Sequence, residues 1–203
     1  MKVALIGATG FIGSRILSEL VRRGHAVTAI VRNPEKVPAS PGVVAAKGNA
    51  LDKDALAALL KGHDAAVSAV HFTASDPVAL IGAVKASGVK RYIVVGGAGS
   101  LEIASGARLV DSPQFPPAYK AEALKGGEFL DLLRKENDLN WTFFSPAAMI
   151  EPGERTGRFR LGGDRLLTDA KGDSRISAED YAIALVDELE APKHERARFT
   201  IAY

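Results

Sequence analysis

A glycine-rich segment near the start of the chain has the composition of a phosphate-binding loop. Its residues are Gly7-Ala8-Thr9-Gly10-Phe11-Ile12-Gly13. The apolar run 3–6 before it is typical of a buried strand, and apolar positions recur at helical spacing over 14–21. In such a strand–turn–helix unit the glycines let a pyrophosphate approach closely, and the helix binds it with its free amides and positive dipole end. The spacing predicts a dinucleotide site; the alternative is an ordinary strand-to-helix turn.

Arg32 follows the second apolar run, residues 26–31, where dinucleotide-binding folds select between two cofactors. An acidic side chain at this position accepts a hydrogen bond from the ribose 2′-hydroxyl of NAD. Arginine cannot accept that bond, but it can form a charge-assisted pair with the 2′-phosphate of NADP. Arg32 therefore predicts NADP as the cofactor, with NADPH preferred over NADH. Arg15 is a weaker second candidate, and the alternative for both is a solvated surface charge.

Small residues stand where the fourth and fifth predicted strands end, at the carboxyl ends that face the ligand crevice in an open parallel sheet. Small side chains there would let a cofactor lie against the backbone. The residues predicted to do so are Ser68, Ala69, Val70, Gly96 and Gly97.

Two polar side chains at the same rim could touch a substrate. His71 comes directly after Val70 and could face a nicotinamide or its reaction partner, although a lone histidine also serves structural roles. Ser100 is the best placed hydroxyl for a substrate oxygen; the alternative is a glycine-rich turn in which serine is merely tolerated. The four histidines of the chain lack metal-ligand spacing, so no metal site is expected.

The elements that must position these residues alternate along the chain. Strands are predicted at 3–6, 26–31, 43–46, 65–70, 91–95, 141–144 and 198–202, and helices at 14–21, 54–60, 78–86, 118–135 and 177–190. This βαβ alternation predicts a doubly wound parallel α/β sheet with three αβα layers, a Rossmann fold. One domain over 1–203 is expected, with a small substrate-side elaboration at about 145–176. Residues 153–163 are predicted to form a loop or short hairpin over the sheet edge.

Composition narrows the class of protein. The chain has 203 residues, 47% hydrophobic and 25% charged, which is ordinary for a globular domain. A formal net charge of +2 does not favour a nucleic-acid partner, and the absence of cysteine excludes disulfides and thiolate chemistry. No signal peptide or membrane span is expected, because the first strand starts at once and no apolar stretch is long enough. We therefore expect a cytoplasmic monomer or homodimer.

Five later segments, taken with the glycine segment, resemble one family. They are Val31-Arg32-Asn33-Pro34, Val95-Gly96-Gly97-Ala98-Gly99-Ser100, Phe144-Ser145-Pro146-Ala147-Ala148, Glu151-Pro152-Gly153-Glu154-Arg155-Thr156-Gly157 and Ile176-Ser177-Ala178-Glu179-Asp180-Tyr181-Ala182. The chain resembles the atypical short-chain dehydrogenases/reductases. It is most similar to the NmrA-like group, whose members are described as NADH-flavin reductases or NAD-dependent epimerase/dehydratase-like proteins. The resemblance spans nearly the whole chain.

This resemblance implies further cofactor contacts. Asp52 ends the segment 48–52, which resembles the family segment whose aspartate contacts the adenine; Asp52 could instead cap the next helix, or do both. Ser145, Pro146 and Ala147 follow the sixth strand, where relatives cradle the nicotinamide with backbone groups. Three arginines of a nearby loop could meet an anionic substrate or form a solvated surface: Arg155, Arg158 and Arg160.

The chain departs from the familiar short-chain dehydrogenases at their catalytic pair. Those enzymes place Tyr-x-x-x-Lys on a helix, so that the lysine lies one turn from the tyrosine and lowers its pKa. Here Tyr119 is followed four residues later by Ala123, while Lys120 and Lys125 have the wrong angular positions. Tyr119 remains a candidate by position only, and carbonyl–alcohol interconversion by the usual mechanism is not expected.

Flavin- and quinone-like acceptors tolerate hydride transfer without a dedicated tyrosine–lysine acid, because their ring nitrogens or oxygens can take protons from water. The sequence and the resemblance together therefore favour an NADPH-dependent reductase acting on such an acceptor. One alternative is a non-catalytic NADP(H) sensor of the NmrA type. Another is a sugar-nucleotide epimerase or dehydratase, which is weakened by the missing pair and by a chain short of a large substrate domain.

Overall fold

The predicted alternation of strands and helices forms a sheet with helices on both faces in the computed structural model, which describes residues 1–203. The strands are β1 (Lys2–Ile6), β2 (Ala26–Val31), β3 (Val43–Lys47), β4 (Ala65–Ser68), β5 (Arg91–Val95), β6 (Asn140–Ser145), β7 (Met149–Glu151), β8 (Arg160–Gly162), β9 (Arg175–Ser177) and β10 (Ala197–Ala202). The helices are α1 (Phe11–Arg22), α2 (Lys53–Leu60), α3 (Pro77–Ser87), α4 (Pro117–Leu133) and α5 (Ala178–Glu190).

The main sheet has eight strands in the order β3-β2-β1-β4-β5-β6-β10-β8. The first seven are mutually parallel, and β8 pairs antiparallel with β10 at the edge. The strand order reverses between β1 and β4, and open sheets of this kind bind ligands outside the carboxyl ends at that reversal. The predicted doubly wound Rossmann fold is confirmed.

The residues of β1 alternate between two hydrophobic cores, one on each face of the sheet. Val3 and Leu5 pack with apolar residues of α1 and α5. Ala4 and Ile6 pack with apolar residues of α2, α3 and α4. A parallel strand covered on both faces must be apolar throughout, which is why 3–6 reads as an uninterrupted apolar run. None of the five helices combines the length and apolarity needed to cross a bilayer.

The region after β6 differs from the expected loop or hairpin at 153–163. Residues 160–162 form β8, which extends the main sheet, whereas β7 and β9 pair in parallel as a separate two-stranded sheet. These three strands have only three residues each, too short to show a pattern of period two. The elaboration therefore forms through pairing with distant strands.

Candidate functional site

A cleft of about 610 Å³ lies at the carboxyl ends of β1 to β5. Its volume falls within the range usual for small-molecule and cofactor sites. Ten residues predicted from the sequence line it: Gly7, Thr9, Gly10, Phe11, Ile12, Arg32, Ala69, Val70, His71 and Gly96. With residues 48–51 after β3, the segments that follow five strands thus meet in one cavity at the reversal of strand order.

The three glycines of the loop have different structural duties. Gly7 has a φ of +85°, and a Cβ there would collide with the carbonyl oxygen of Ala69. A Cβ on Gly13 would collide with the carbonyl oxygen of Gly7, so this glycine allows α1 to pack closely on the loop. Gly10 has an ordinary φ of −73°, and the nearest atom to its Cβ would be the Gly7 oxygen at 3.3 Å. The fold requires Gly7 and Gly13, while Gly10 leaves the cleft open to a ligand.

The first turn of α1 points its amide groups toward the loop without a side-chain cap. Gly10 is the N-cap, and no side-chain hydrogen bond closes the helix. Ser14 uses its hydroxyl to donate to the carbonyl oxygen of Phe11 instead. Uncapped N–H groups and the positive dipole end together form an anion site. The loop and helix therefore fit the pyrophosphate of a dinucleotide.

Arg15 and Arg32 differ in whether they already have a partner. The Nε of Arg15 donates to Oε1 of Glu179 at 3.1 Å, and its guanidinium lies 4.8 Å from the Phe11 ring centroid. Arg32 is exposed at the end of β2, lines the cleft, and makes no hydrogen bond or ion pair with any side chain of the protein. A cation without a partner is available to an anionic ligand, and this distinguishes Arg32 from Arg15.

The segment after β3 contacts the cleft, but not through Asp52. Asn49, Ala50 and Leu51 line the cavity, and the side chain of Leu51 remains 57% exposed. Asp52 is the N-cap of α2, where its Oδ1 accepts a hydrogen bond from the amide of Ala55 at 3.1 Å. The capping role considered for this carboxylate is therefore present, and the apolar neighbours supply the wall of the cleft.

The opposite wall is a short 3₁₀ turn after β4, held by a carboxylate from α4. Glu122 accepts hydrogen bonds from the backbone amides of Phe72 at 2.7 Å and Thr73 at 2.9 Å, and from the Thr73 hydroxyl at 2.7 Å. The Nδ1 atom of His71 lies 3.3 Å from Oε1 of Glu122. His71, Phe72, Ala74 and Glu122 all line the cleft.

Glu122 is ionised within this cluster. Partial burial acts to raise its pKa, but the donors from Thr73 and Phe72 outweigh that effect and hold the pKa below the ordinary glutamate value. The carboxylate therefore acts as an acceptor and not as a proton donor. His71 is the exposed group of the pair, with 84% of its side chain accessible.

Several predicted site residues lie outside the cleft. Ser68 is buried and shares a 2.9 Å hydrogen bond with the Tyr92 hydroxyl. Gly97 lies beside Phe72: a Cβ on this glycine would stand 3.6 Å from the Phe72 ring. Ser100 accepts a hydrogen bond from Arg198 at 3.0 Å. Ser145, Pro146 and Ala147 are buried behind the end of β6.

The helix that carries the tyrosine–lysine pair in dehydrogenases is built differently here. Tyr119 is 66% exposed in the first turn of α4 and does not line the cleft. The fourth position after it, Ala123, packs against Gly99, where a Cβ would come within 2.5 Å of the Ala123 Cβ. Ala123 is only half-buried. The fourth position after Tyr119 therefore packs against the segment after β5 and carries no lysine.

Two of the three loop arginines have hydrogen-bond partners within the protein. Arg155 pairs with Glu19 of α1 at 2.8 Å, and Arg160 donates to the backbone oxygens of Thr168 and Tyr203. Arg158 is exposed and makes no side-chain contact of this kind. The loop is therefore anchored to α1 and the chain end, away from the cleft.

Sequence reasoning missed Glu122, Phe72 and the direct contribution of residues 49–51. Glu122 lies three residues after Tyr119 on α4, but no spacing pairs it with amides about fifty positions earlier in the chain. In the segment after β3, sequence reasoning singled out Asp52 and not the three residues before it. The available signal was the apolar pair Ala50 and Leu51 in a connecting segment, where polar residues are more usual.

The comparisons with known proteins agree with this geometry. A family model described as NAD(P)H-binding matches residues 7–192. The chain belongs to the NAD(P)H-binding family. It is 43% identical over 208 residues to the uncharacterized protein YwnB of Bacillus subtilis, covering 99% of this chain and 98% of that protein.

Solved structures extend the similarity over the full length. A candidate epimerase from Bacteroides thetaiotaomicron is 46% identical with a TM-score of 0.95, covering 100% of this chain and 96% of that chain. A candidate NADH-flavin reductase from Streptococcus pneumoniae is 41% identical with a TM-score of 0.82, covering 100% of this chain and 99% of that chain. The predicted membership of a reductase-like, NAD(P)H-binding family is confirmed, while the names of these two relatives point to different chemistries.

Proposed function

We propose that this protein is an NADPH-dependent reductase that passes a hydride to a flavin- or quinone-like acceptor. One observation carries the proposal: a single cleft joins an unpaired arginine and a glycine loop at one end to an exposed histidine at the other. The first end suits a dinucleotide phosphate, and the second leaves space beside the strand ends for a second ring. No observation specifically favours epimerase chemistry on a sugar nucleotide.

The residues at the cofactor end would divide the work of binding. The amides of α1 and the loop around Gly10 would hold the pyrophosphate, and Arg32 would pair with the 2′-phosphate. Ala50 and Leu51 offer an apolar face for the adenine, while Ala69, Val70 and Gly96 form the floor toward the nicotinamide. When bound, the reduced nicotinamide supplies a hydride to the acceptor. The preference for NADPH rests on Arg32 alone.

The acceptor end would orient its ligand and leave proton supply to solvent or to His71. His71 is exposed and lines the cleft, so it can donate a hydrogen bond to a ring nitrogen or oxygen. Ser100 and Tyr119 are placed where neither borders the cavity. We therefore assign the acceptor contact to His71 first, because proximity and orientation are what these acceptors require of the protein.

The proposal also includes the domain organisation, the oligomeric state and the location of the protein. Residues 1–203 would act as one cofactor-binding domain, with 145–176 as its elaboration, because Ile150 and Ile176 pack onto the core shared by α1 and α5. A monomer or homodimer in the cytoplasm remains the prediction from the sequence.

Mixing the purified protein with NADPH and FMN tests the reductase. We expect NADPH oxidation, followed by its absorbance, at a rate that saturates with FMN and with a quinone such as menadione. The matched control is Gly10→Ala, which should fold but lose cofactor binding. Tight NADPH binding without oxidation by either acceptor would instead support the sensor alternative and overturn the reductase.

A further inference from the structure

We propose that Glu122 is a positioning residue that sets the geometry of the acceptor end of the cleft. It does so by holding the turn 71–74, of which His71, Phe72 and Ala74 line the cleft. The inference rests on the proposed function for its catalytic consequence, but the mechanical part concerns this chain alone. The donors to Glu122 are two consecutive backbone amides, a hydroxyl and an imidazole nitrogen.

The contact is strong because it places an ionised acceptor against several donors. Hydrogen bonds to a charged group are roughly twice as strong as those between neutral groups. Both oxygens of Glu122 are used, Oε1 by Phe72 and His71 and Oε2 by the amide and hydroxyl of Thr73. Two parallel attachments fix the turn in orientation as well as in position. The direction of the His71 side chain is set by the same turn.

A second, apolar anchor holds the same turn to the core independently. The Phe72 ring lies 5.9 Å edge-on from Phe129 and 6.1 Å stacked from Phe143, measured between centroids. It also lies over Gly126, where a Cβ would come within 2.8 Å of the ring. The packing of the Phe72 ring does not depend on the Glu122 carboxylate. A change at Glu122 should therefore loosen the turn without unfolding the protein.

The helix that supplies Glu122 is itself rigidly placed. Phe129, Leu130 and Leu133 of α4 are buried in the core on that face of the sheet. Glu122 sits one turn beyond Tyr119, on the helix where dehydrogenases carry their catalytic pair. In this chain α4 therefore contributes a hydrogen-bond acceptor, Glu122, that orients the turn 71–74. We assign it no acid that protonates a substrate.

The central test is Glu122→Gln, which keeps the shape but places an NH₂ group against N–H donors. We expect amide hydrogen exchange at Phe72 and Thr73 to accelerate by about tenfold or more, since a hydrogen bond to a charged acceptor is lost. The KM for FMN should rise about tenfold, while the Kd for NADPH changes less than about twofold. A merely structural role would lower both affinities together.

Two further variants complete the test. Glu128→Gln changes an exposed carboxylate on the same helix, which pairs with Lys125 at 3.9 Å, and it should leave exchange and kinetics unchanged. Thr73→Val removes only the hydroxyl contact and should give a smaller acceleration in the same direction. It also serves as the informative variant should Glu122→Gln fail to fold.

Each outcome decides the proposal. Unchanged exchange at Phe72 and Thr73 in Glu122→Gln overturns the positioning role, as does equal loss of NADPH and FMN affinity. Faster exchange with an unchanged KM for FMN overturns its link to the acceptor. If the wild-type protein does not oxidise NADPH, the reductase proposal fails separately, and exchange together with FMN binding by fluorescence titration still decides the role of Glu122.

Discussion

The two ends of the cleft are built in different ways. The cofactor end consists of βα connections whose own sequences dictate their shape: Gly7 must adopt a positive φ, Gly13 must lie against the loop, and Arg32 ends β2. The acceptor end depends on Glu122, which reaches from α4 to amides about fifty residues earlier. Local geometry suffices to shape the glycine loop, whereas the position of the turn 71–74 depends on a contact between distant segments.

The largest expected effect separates the glycines at the cofactor end. Gly10→Ala should lower NADPH affinity by about a hundredfold or more, equivalent to about 3 kcal/mol, because a methyl group would stand where the pyrophosphate approaches. Stability should fall by no more than about 1 kcal/mol, since φ is already ordinary. Calorimetric titration and urea unfolding measure the two quantities.

Gly13→Ala provides the contrast to that variant. Its Cβ would collide with the carbonyl oxygen of Gly7, so it should lower stability more than Gly10→Ala does. Full NADPH affinity in a folded Gly10→Ala protein would show that no ligand approaches this loop closely, and the division of duties among the glycines would be wrong.

Arg32→Ala tests whether the cofactor end of the cleft prefers NADPH to NADH. A charge-assisted hydrogen bond contributes roughly 1.5–3 kcal/mol, so NADPH affinity should fall about tenfold or more. NADH affinity should hardly change, because NADH has no 2′-phosphate. Titrating both cofactors against wild type and variant checks this, with Arg15→Ala as the comparison of an arginine already paired with Glu179. Equal losses for the two cofactors would contradict the NADPH preference.

A substitution at Glu19 tests whether the carboxyl-terminal half of α1 contributes to the stability of the fold and not to cofactor binding. The hydrogen bond from Arg155, opposed by burial and reinforced by Arg23, lowers the pKa of Glu19 from 4.5 to about 2. Glu19→Gln should therefore cost about 2 kcal/mol of unfolding free energy at pH 7 and change NADPH affinity less than about twofold.

The pH dependence of that loss has a definite sign. A carboxyl whose pKa is lowered on folding stabilises the protein above its unfolded pKa, and this contribution disappears as the pH falls through the folded value. The stability difference between wild type and Glu19→Gln should shrink from about pH 4.5 toward about pH 2. Urea unfolding at stepwise pH measures it, and a difference that persists unchanged to pH 2 would contradict the assigned pKa.

The smallest effect is expected at Tyr119. The side chain is exposed and does not line the cleft, so Tyr119→Phe should lower kcat for NADPH oxidation by well under tenfold. Loss of a true general acid costs roughly 10²–10⁴-fold. Single-turnover oxidation with FMN makes the comparison. A thousandfold loss would restore a tyrosine-dependent mechanism and make α4, rather than the turn 71–74, the centre of the acceptor end.

Much of the fold could be predicted because its signals are local. The apolar run of β1, the glycines of the loop and the helical spacing of α1 each report a neighbouring backbone requirement. The strands β7, β8 and β9 could not be predicted, since three residues carry no periodicity and their pairing depends on distant partners. For Asp52 the sequence left two roles open, contact with the adenine and capping of the next helix. The structure shows Asp52 as the N-cap of α2.

The sequence by itself determined the doubly wound sheet, the phosphate loop and the position of Arg32, because short-range sterics and burial on both sheet faces dictate them. Only the tertiary structure decided that Ser100 binds Arg198, that Ala123 packs against Gly99, and that Glu122 holds the turn 71–74. These contacts join residues far apart in the chain. Their energies depend on distances and burial that no spacing along the sequence encodes.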